Sequence, residues 1–299
     1  MRILLTGATG LIGQAMHAEF AADHEIITLG RNETANIRLD LADPTSIASA
    51  TLPQADVLVH CAGVVDEDFR ENPERAFRMA LLGADRLVRK ALVIGVKKLV
   101  YLSSAHVYGP MVGHIDEGSP INPVSDYAIA HFATEQIFRR AASSSHAVLV
   151  IRPCAVFGQL AAPQYFRRWS LIPFSFPKEA TMDRKIVIRS TGDQRRNFVG
   201  TRDISGTVRK WLQSNPSGWQ AVNPLGSLSA TVFQFAKLCA QVSDELFGGN
   251  CQIERVAPNG KTVGDDFDYA SLSPIAQGSE SPEAFVHHFI QQLATLESQ

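Results

Sequence analysis

Five short runs rich in Val, Ile and Leu recur along the first half of the chain: RILLTG (2–7), EIITLG (25–30), DVLVHCAG (56–63), KLVYLSS (98–104) and AVLVIRP (147–153). Stretches of helical periodicity separate them. Continuous apolar strands alternating with helices imply an α/β fold, a doubly wound parallel sheet covered on both faces. The longest intervening stretch, PERAFRMALLGADRLVRKALVIGV (73–96), has Pro and Glu in its first turn and Phe77, Leu81, Ala84, Leu87 and Val88 on one stripe, which predicts a single helix. Another helix is predicted over 125–142. After Arg152 and Pro153 the alternation breaks down. Pro163, Tyr165, Phe166, Trp169, Pro173, Phe174, Phe176 and Pro177 suit a smaller lobe lining a cleft, with core packing as the competing reading. Helical spacing returns in TVFQFAKLCAQVSDELF (231–247) and EAFVHHFIQQLATL (283–296). His287 and His288 are adjacent and so face different directions, which argues against a metal pair.

Composition narrows the class without changing this picture. The chain has 299 residues, 45% of them hydrophobic, enough for a sizeable core. Its 28 basic and 30 acidic side chains leave a formal charge of −2. With no block of like charge, neither nucleic acid nor an anionic membrane is an expected partner. The opening MRILLTGATG has too short an apolar run for a signal peptide, and no segment approaches the roughly 18 apolar residues of a membrane span. A cytoplasmic location is the expectation. Cys61, Cys154, Cys239 and Cys251 form no CxxC pair and read as buried thiols.

The strongest chemical signal is TGATGLIG (6–13), which follows the first strand and opens a helix. Gly7 permits a tight turn, Gly10 lets the backbone approach a pyrophosphate, and Gly13 lets the helix pack closely on the strand. Free N–H groups at the helix start, around Thr9, Leu11 and Ile12, attract phosphates. Placed at strand one of an alternating chain, the pattern points to dinucleotide binding.

With LDLAD (39–43), VHCAG (59–63), VYLSSAHVYG (100–109), Tyr127, IRPCAVFG (151–158) and RRNFVGTRDI (195–204), this spacing resembles the short-chain dehydrogenase/reductase superfamily. More narrowly, it resembles the extended branch, the NAD-dependent epimerase/dehydratase family acting on nucleotide sugars. The resemblance runs from Arg2 to about Asp203 and more faintly to the end. It implies a Rossmann dinucleotide-binding domain over 1–157 and 197–222, with a smaller C-terminal α/β substrate lobe over 158–196 and 223–299. Arg31, after the second strand, stands where the extra phosphate of NADP would lie and favours NADP over NAD, although Glu33 could reach a ribose. Asp40 would meet the adenine with Leu41 beside the ring. Cys61, Ala62 and Gly63 would run along the cofactor, with Pro153 also against it. Asp43, before Pro44, reads as a structural turn residue.

The resemblance also implies the catalytic group. Ser104 would hold the substrate oxygen, while Ser103 reads as a capping serine. Tyr127 would exchange a proton with that oxygen beside the nicotinamide. A free phenol titrates near 10 and needs a cation to act at neutral pH, and the family places Lys four residues later. Here that position is His131, shorter and largely neutral at pH 7, so it serves as a weaker ribose ligand. The family's Asn is replaced by Ala80. Arg196 matches the position that holds a nucleotide-sugar diphosphate, whereas Arg195 reads as a surface residue. His106 and Tyr108 flank the cleft in the family and could equally be packing residues.

Two functions follow from these residues. One is an enzyme moving hydride to or from a nucleotide-sugar carbonyl or alcohol, as an epimerase or reductase, with a dehydratase ranked last because SSAHVYG holds no acidic pair. The other is an NAD(P)-binding protein of the same fold with weak or lost catalysis, acting as sensor or assembly partner. The family's usual homodimer would pair helices 73–94 and 125–142.

Overall fold

A computed structural model describes residues 1–161, 163, 166–256 and 267–297 of the chain. Tyr165 lies outside the described residues. The five apolar runs form strands Arg2–Thr6, Glu25–Gly30, Val57–His60, Lys98–Leu102 and Ala147–Ile151. Two short strands that the sequence pattern does not announce, Ile37–Arg38 and Trp219–Val222, extend the sheet at its edges. The seven strands run in the spatial order 219–222, 147–151, 98–102, 57–60, 2–6, 25–30, 37–38. All their pairings are parallel.

Alternation along the strands explains why each run is apolar throughout. Ile3, Leu5, Val57, Val59, Val100 and Leu102 face one way, against Met16, Phe20, Val208 and Trp211 of helices Leu11–Phe20 and Thr201–Gln213. Leu4, Leu58, Leu99, Tyr101 and Val148 face the other way, against Leu87, Val88 and Phe138. Both faces are covered, so there is no solvent side to carry polar residues. Each Val or Leu taken fully from water contributes about 1.5–3 kcal/mol before the chain's entropy loss is counted.

Strand order reverses between 2–6 and 57–60, and a crevice opens at the carboxyl ends of a parallel sheet at such a point. Buried polar groups pin that junction. Thr6 Oγ1 lies 2.8 Å from His60 Nδ1 and accepts from the Ala62 amide at 3.2 Å.

The single helix expected over 73–96 is interrupted. It consists of Pro73–Phe77, a π-helical turn Arg78–Gly83 and Ala84–Val93. In the widened turn the Ala80 carbonyl accepts from Thr134 Oγ1 at 2.9 Å. Gly83 is pressed onto the next layer, where a Cβ would stand 2.3 Å from the Leu41 carbonyl oxygen. Such turns concentrate at functional sites, and this one lies over the crevice. The helix expected over 125–142 spans Asp126–Arg139, and the Ser125 side chain caps it by accepting from the Ala128 amide at 3.3 Å.

The elements after Pro153 build a second hydrophobic cluster. Strands Ala155–Phe157, Arg195–Gly200 and Leu228–Thr231 form a small sheet, and helices Ile172–Met182, Val232–Phe247 and Pro282–Glu297 pack together. Phe174 and Phe176 lie in its core, with Phe166 and Trp169 packed against it. These aromatics are packing residues and do not line the cleft, because this lobe needs them to fill its own interior. Cys239 and Cys251 are buried, Cys61 and Cys154 half-buried, and all four are free thiols. No helix among the described residues is long and apolar enough to cross a membrane.

Candidate functional site

The glycine turn forms one wall of a groove of about 590 Å³. Gly7 has φ +70°, and a Cβ there would meet the Ala62 amide nitrogen at 2.6 Å. A Cβ on Gly13 would stand 1.9 Å from the Gly7 carbonyl oxygen, so only glycine lets this helix approach the turn. Gly10 donates to the Gly7 carbonyl at 2.9 Å and caps the helix Leu11–Phe20. Leu11 and Ile12 point their side chains into the two cores, while their backbone N–H groups belong to the first turn and have no partner within the helix. Thr9, Arg31, Asp40, Leu41, Cys61, Ala62 and Gly63 line the groove with Gly7 and Gly10. Pro153 does not line it. That residue is buried, and its carbonyl accepts from the Ala105 amide at 3.0 Å.

At the far end Asp40 is tightly held. One carboxylate oxygen accepts from the Ala42 amide at 2.9 Å and the other from Arg75 at 2.7 Å. Partial burial pushes its pKa up, but Arg75, the Ala42 amide and the charge of Arg31 outweigh that and hold it below the usual value. Arg75 was not foreseen as a groove residue, and a cation in the first turn of a helix gives little sequence signal. Arg31 is exposed on the rim. Asp43 caps the helix Pro44–Ser49, accepting from the Thr45 amide at 2.9 Å.

At the other end, Tyr127 and His131 lie one turn apart with ring centroids 4.5 Å apart, edge to face. His106, exposed, meets Tyr127 from the other side at 5.8 Å. The Ser104 hydroxyl caps the turn Ala105–Tyr108, accepting from the His106 amide at 3.3 Å. The capping role therefore falls to Ser104 and not to Ser103. Burial lifts the Tyr127 phenol above its ordinary value, with Asp66 adding to the rise, while Arg168 and Ser104 pull it down. His131 is only 3% exposed, and burial drops its pKa from 6.5 to about 3, aided by the charge of Arg168 and opposed by the Val64 backbone. A neutral imidazole results. Its Nδ1 lies 2.7 Å from the hydroxyl of Tyr101, which burial keeps protonated, so Tyr101 can donate to Nδ1 and leave the ring proton on Nε2.

Behind these residues runs a buried polar chain that the sequence reading missed. Ser103 donates to Glu135 at 2.6 Å, and Arg152 grips the same carboxylate with two bonds of 3.0 and 2.7 Å. Arg152 also donates to the Tyr108 hydroxyl at 3.0 Å, which donates to Asn223 at 2.8 Å. Tyr108 and Ser103 thus hold the strand ends and do not face the cleft. A Glu on the buried stripe His131, Thr134, Glu135, Phe138 was the available signal, because a carboxylate there demands a cation.

The Arg196 guanidinium lies 5.7 Å from the Phe267 ring centroid and its Nη1 donates to the Arg195 carbonyl at 2.7 Å. Its charge helps lower the pKa of His106, after the larger effect of burial. Arg195 turns to the Ser229 carbonyl at 3.2 Å. Ala80 is 8% exposed in an apolar cluster with Val64, Ala76 and Ala130, and it offers no side-chain polar group. Among the described residues, three buried side-chain polar atoms lack a partner: His131 Nε2, Arg168 Nε and Glu67 Oε2. Glu67 and Arg168 line the groove, and His131 stands behind Gly63, whose Cβ would be 3.4 Å from His131 Cε1. Buried orphans of this kind mark where a polar ligand completes the bonding.

Known proteins are similar to this chain in sequence and fold. The model of the NAD dependent epimerase/dehydratase family matches residues 3–222. GDP-6-deoxy-D-mannose reductase of Pseudomonas aeruginosa is 25% identical over 224 residues, 73% of this chain and 72% of that one. Methionine adenosyltransferase 2 subunit beta of Pongo abelii is 31% identical over 129 residues, 40% of this chain and 38% of that one. The solved structure of RMD from Pseudomonas aeruginosa complexed with NADPH aligns at TM-score 0.81 with 19% identity, covering 99% of both chains, a likeness of fold. A family match over 3–222, on a doubly wound sheet whose glycine turn walls the crevice, establishes that this chain belongs to the NAD dependent epimerase/dehydratase family of nucleotide-sugar enzymes.

Proposed function

We propose that the chain is an NADP-preferring oxidoreductase or epimerase that works on the carbonyl or alcohol of a nucleotide sugar, in the division of 1–157 and 197–222 for cofactor and 158–196 and 223–299 for substrate. The residues present fit a nicotinamide dinucleotide. The Gly7, Gly10 and Gly13 turn leaves backbone amides for the pyrophosphate, Asp40 and Leu41 stand at the adenine end, and Arg31 can pair with a ribose phosphate. The observation that carries the reading is the orphaned His131 Nε2, buried behind Gly63 and one helical turn from Tyr127. A ribose hydroxyl is the acceptor that this N–H lacks.

When bound, the nicotinamide supplies or takes the hydride. The protein's own part is to hold the substrate oxygen and move its proton. Ser104 donates a hydrogen bond to that oxygen, and the Tyr127 phenol gives up its proton as a carbonyl becomes an alcohol, or takes it back in the reverse direction. Arg196 holds the diphosphate with its planar fork of donors. The exposed Leu82 and Ile129, on the helical segments 73–93 and 126–139, suit a homodimer contact through those helices. The test is a panel of nucleotide sugars offered with NADPH, NADP, NADH and NAD, followed by nicotinamide absorbance for net oxidation or reduction and by product chromatography for epimerisation. Turnover lost in Tyr127→Phe with NADPH binding kept is expected; turnover unchanged in that variant contradicts the assignment.

A second reading is a dinucleotide-binding protein with weak or lost catalysis that serves as an assembly partner. It is favoured by the neutrality of His131 and by the apolar Ala80. The likeness to a protein named as a subunit of methionine adenosyltransferase supports it further. Stoichiometric NADPH binding with no turnover of any nucleotide sugar would select it.

A further inference from the structure

Position 131 holds a neutral imidazole, so the phenol of Tyr127 receives no cation from its own helix. A guanidinium comes instead from the other side of the cleft. Residues 167–170 of the second lobe fasten onto the helix Asp66–Glu71 of the first: Arg167 donates to Glu71 at 2.8 Å, Ser170 to Glu67 at 3.4 Å, and Arg168 stands 3.8 Å from Asp66. This clasp carries Arg168 over the groove, beside the Cys61, Ala62 and Gly63 wall. Its Nε is buried and unpaired. Arg168 lines the groove with Gly63, behind which His131 stands with its ring centroid 4.5 Å from that of Tyr127, and its charge pulls the Tyr127 phenol down.

We propose that Arg168 is the cationic partner of Tyr127, a positioning residue that holds the tyrosinate formed during proton transfer and is brought to it by the clasp between residues 167–170 and the helix 66–71. The inference rests on the reading of Tyr127 as the proton-exchanging group. Arginine suits the task because it stays charged when partly buried, whereas a lysine would be pushed toward its neutral form. The charged and titratable groups around the phenol come from five elements. His131 lies on its own helix, Tyr101 on the strand Lys98–Leu102, His106 on the turn beside Ser104, Asp66 on the helix Asp66–Glu71, and Arg168 on the segment 167–170. Asp66 and Arg168 carry opposite charge and act on the phenol with opposite sign.

Monofluorinated tyrosine, whose phenol titrates lower than tyrosine, can be incorporated throughout the full chain and followed by fluorine NMR. The resonance absent from Tyr127→Phe reports this phenol. Arg168→Met should raise its titration midpoint by about one pH unit or more, Arg168→Lys should raise it by less, and Asp66→Asn should lower it. A merely structural role would not produce shifts of opposite sign. If Arg168→Met does not fold, Arg168→Lys and Asp66→Asn carry the test. A midpoint unmoved in Arg168→Met, or moved the same way by Arg168→Met and Asp66→Asn, overturns the proposal. With only the folded pair available, an unmoved or raised midpoint in Asp66→Asn does so. NADPH titration of the same samples keeps the two questions apart. Failure of the wild type to bind NADPH would refute the functional reading, while the fluorine midpoints still decide the role of Arg168.

Discussion

Two buried histidines make this fold sensitive to acid in a window that can be calculated. His131 is held neutral with its pKa at about 3, and His60, 2% exposed between Tyr101 and Phe138, is lowered from 6.5 to about 4 by burial. In the unfolded chain both return to about 6.5. Between those values the unfolded state binds more protons than the folded one, so stability is fully present above about pH 6.5 and falls as the pH drops toward the folded pKa values. At about pH 5 each histidine accounts for about 2 kcal/mol, and together they remove about 4 kcal/mol relative to pH 7.5. That is a large share of the 5–15 kcal/mol typical of a folded domain. Urea unfolding followed by tryptophan fluorescence across this range measures the slope. His131→Gln and His60→Gln should each flatten it by about half, and the double variant by most of it. A slope identical in wild type and double variant would refute the claim that these imidazoles are buried neutral, and with it the argument that Tyr127 needs another cation.

Other outcomes follow from the same contacts. Gly13→Ala should destabilise the fold by ~1–3 kcal/mol and abolish NADPH binding, because its Cβ would strike the Gly7 carbonyl at 1.9 Å; thermal unfolding and NADPH fluorescence check both. Arg152→Met should cost ~3–5 kcal/mol in denaturant unfolding by leaving Glu135, fully buried, without its cation. Arg31→Ala should weaken NADPH binding about tenfold with little change for NADH, since a charge-assisted hydrogen bond contributes about 1.5–3 kcal/mol and this one sits on an exposed rim; equal losses for both dinucleotides would remove Arg31 from phosphate recognition.

The sheet was legible because burial on both faces leaves five uninterrupted apolar runs, and the glycine turn because steric contact at Gly7 and Gly13 admits no side chain. Trp219–Val222 was not, since a half-buried edge strand of four residues carries neither a continuous apolar run nor clean alternation. The π turn at Arg78–Gly83 left the helical periodicity nearly intact on both sides and so hid within it. Around the groove, the nearness of Tyr127 to His131 could be read from their four-residue spacing on one helix. Arg168 and Arg75 could not, because each is brought to its partner by chain folding over a long separation: Arg75 to Asp40 at 2.7 Å, Arg168 to Asp66 at 3.8 Å.

The central claim is that the groove at the carboxyl ends of strands 2–6 and 57–60 takes a nicotinamide dinucleotide against the glycine turn. Calorimetric titration of the purified chain with NADPH and with NADH tests it most directly. One site per chain, tighter for NADPH and lost in Gly13→Ala, is the expected result. Heats indistinguishable from dilution for both dinucleotides at millimolar concentration would contradict it.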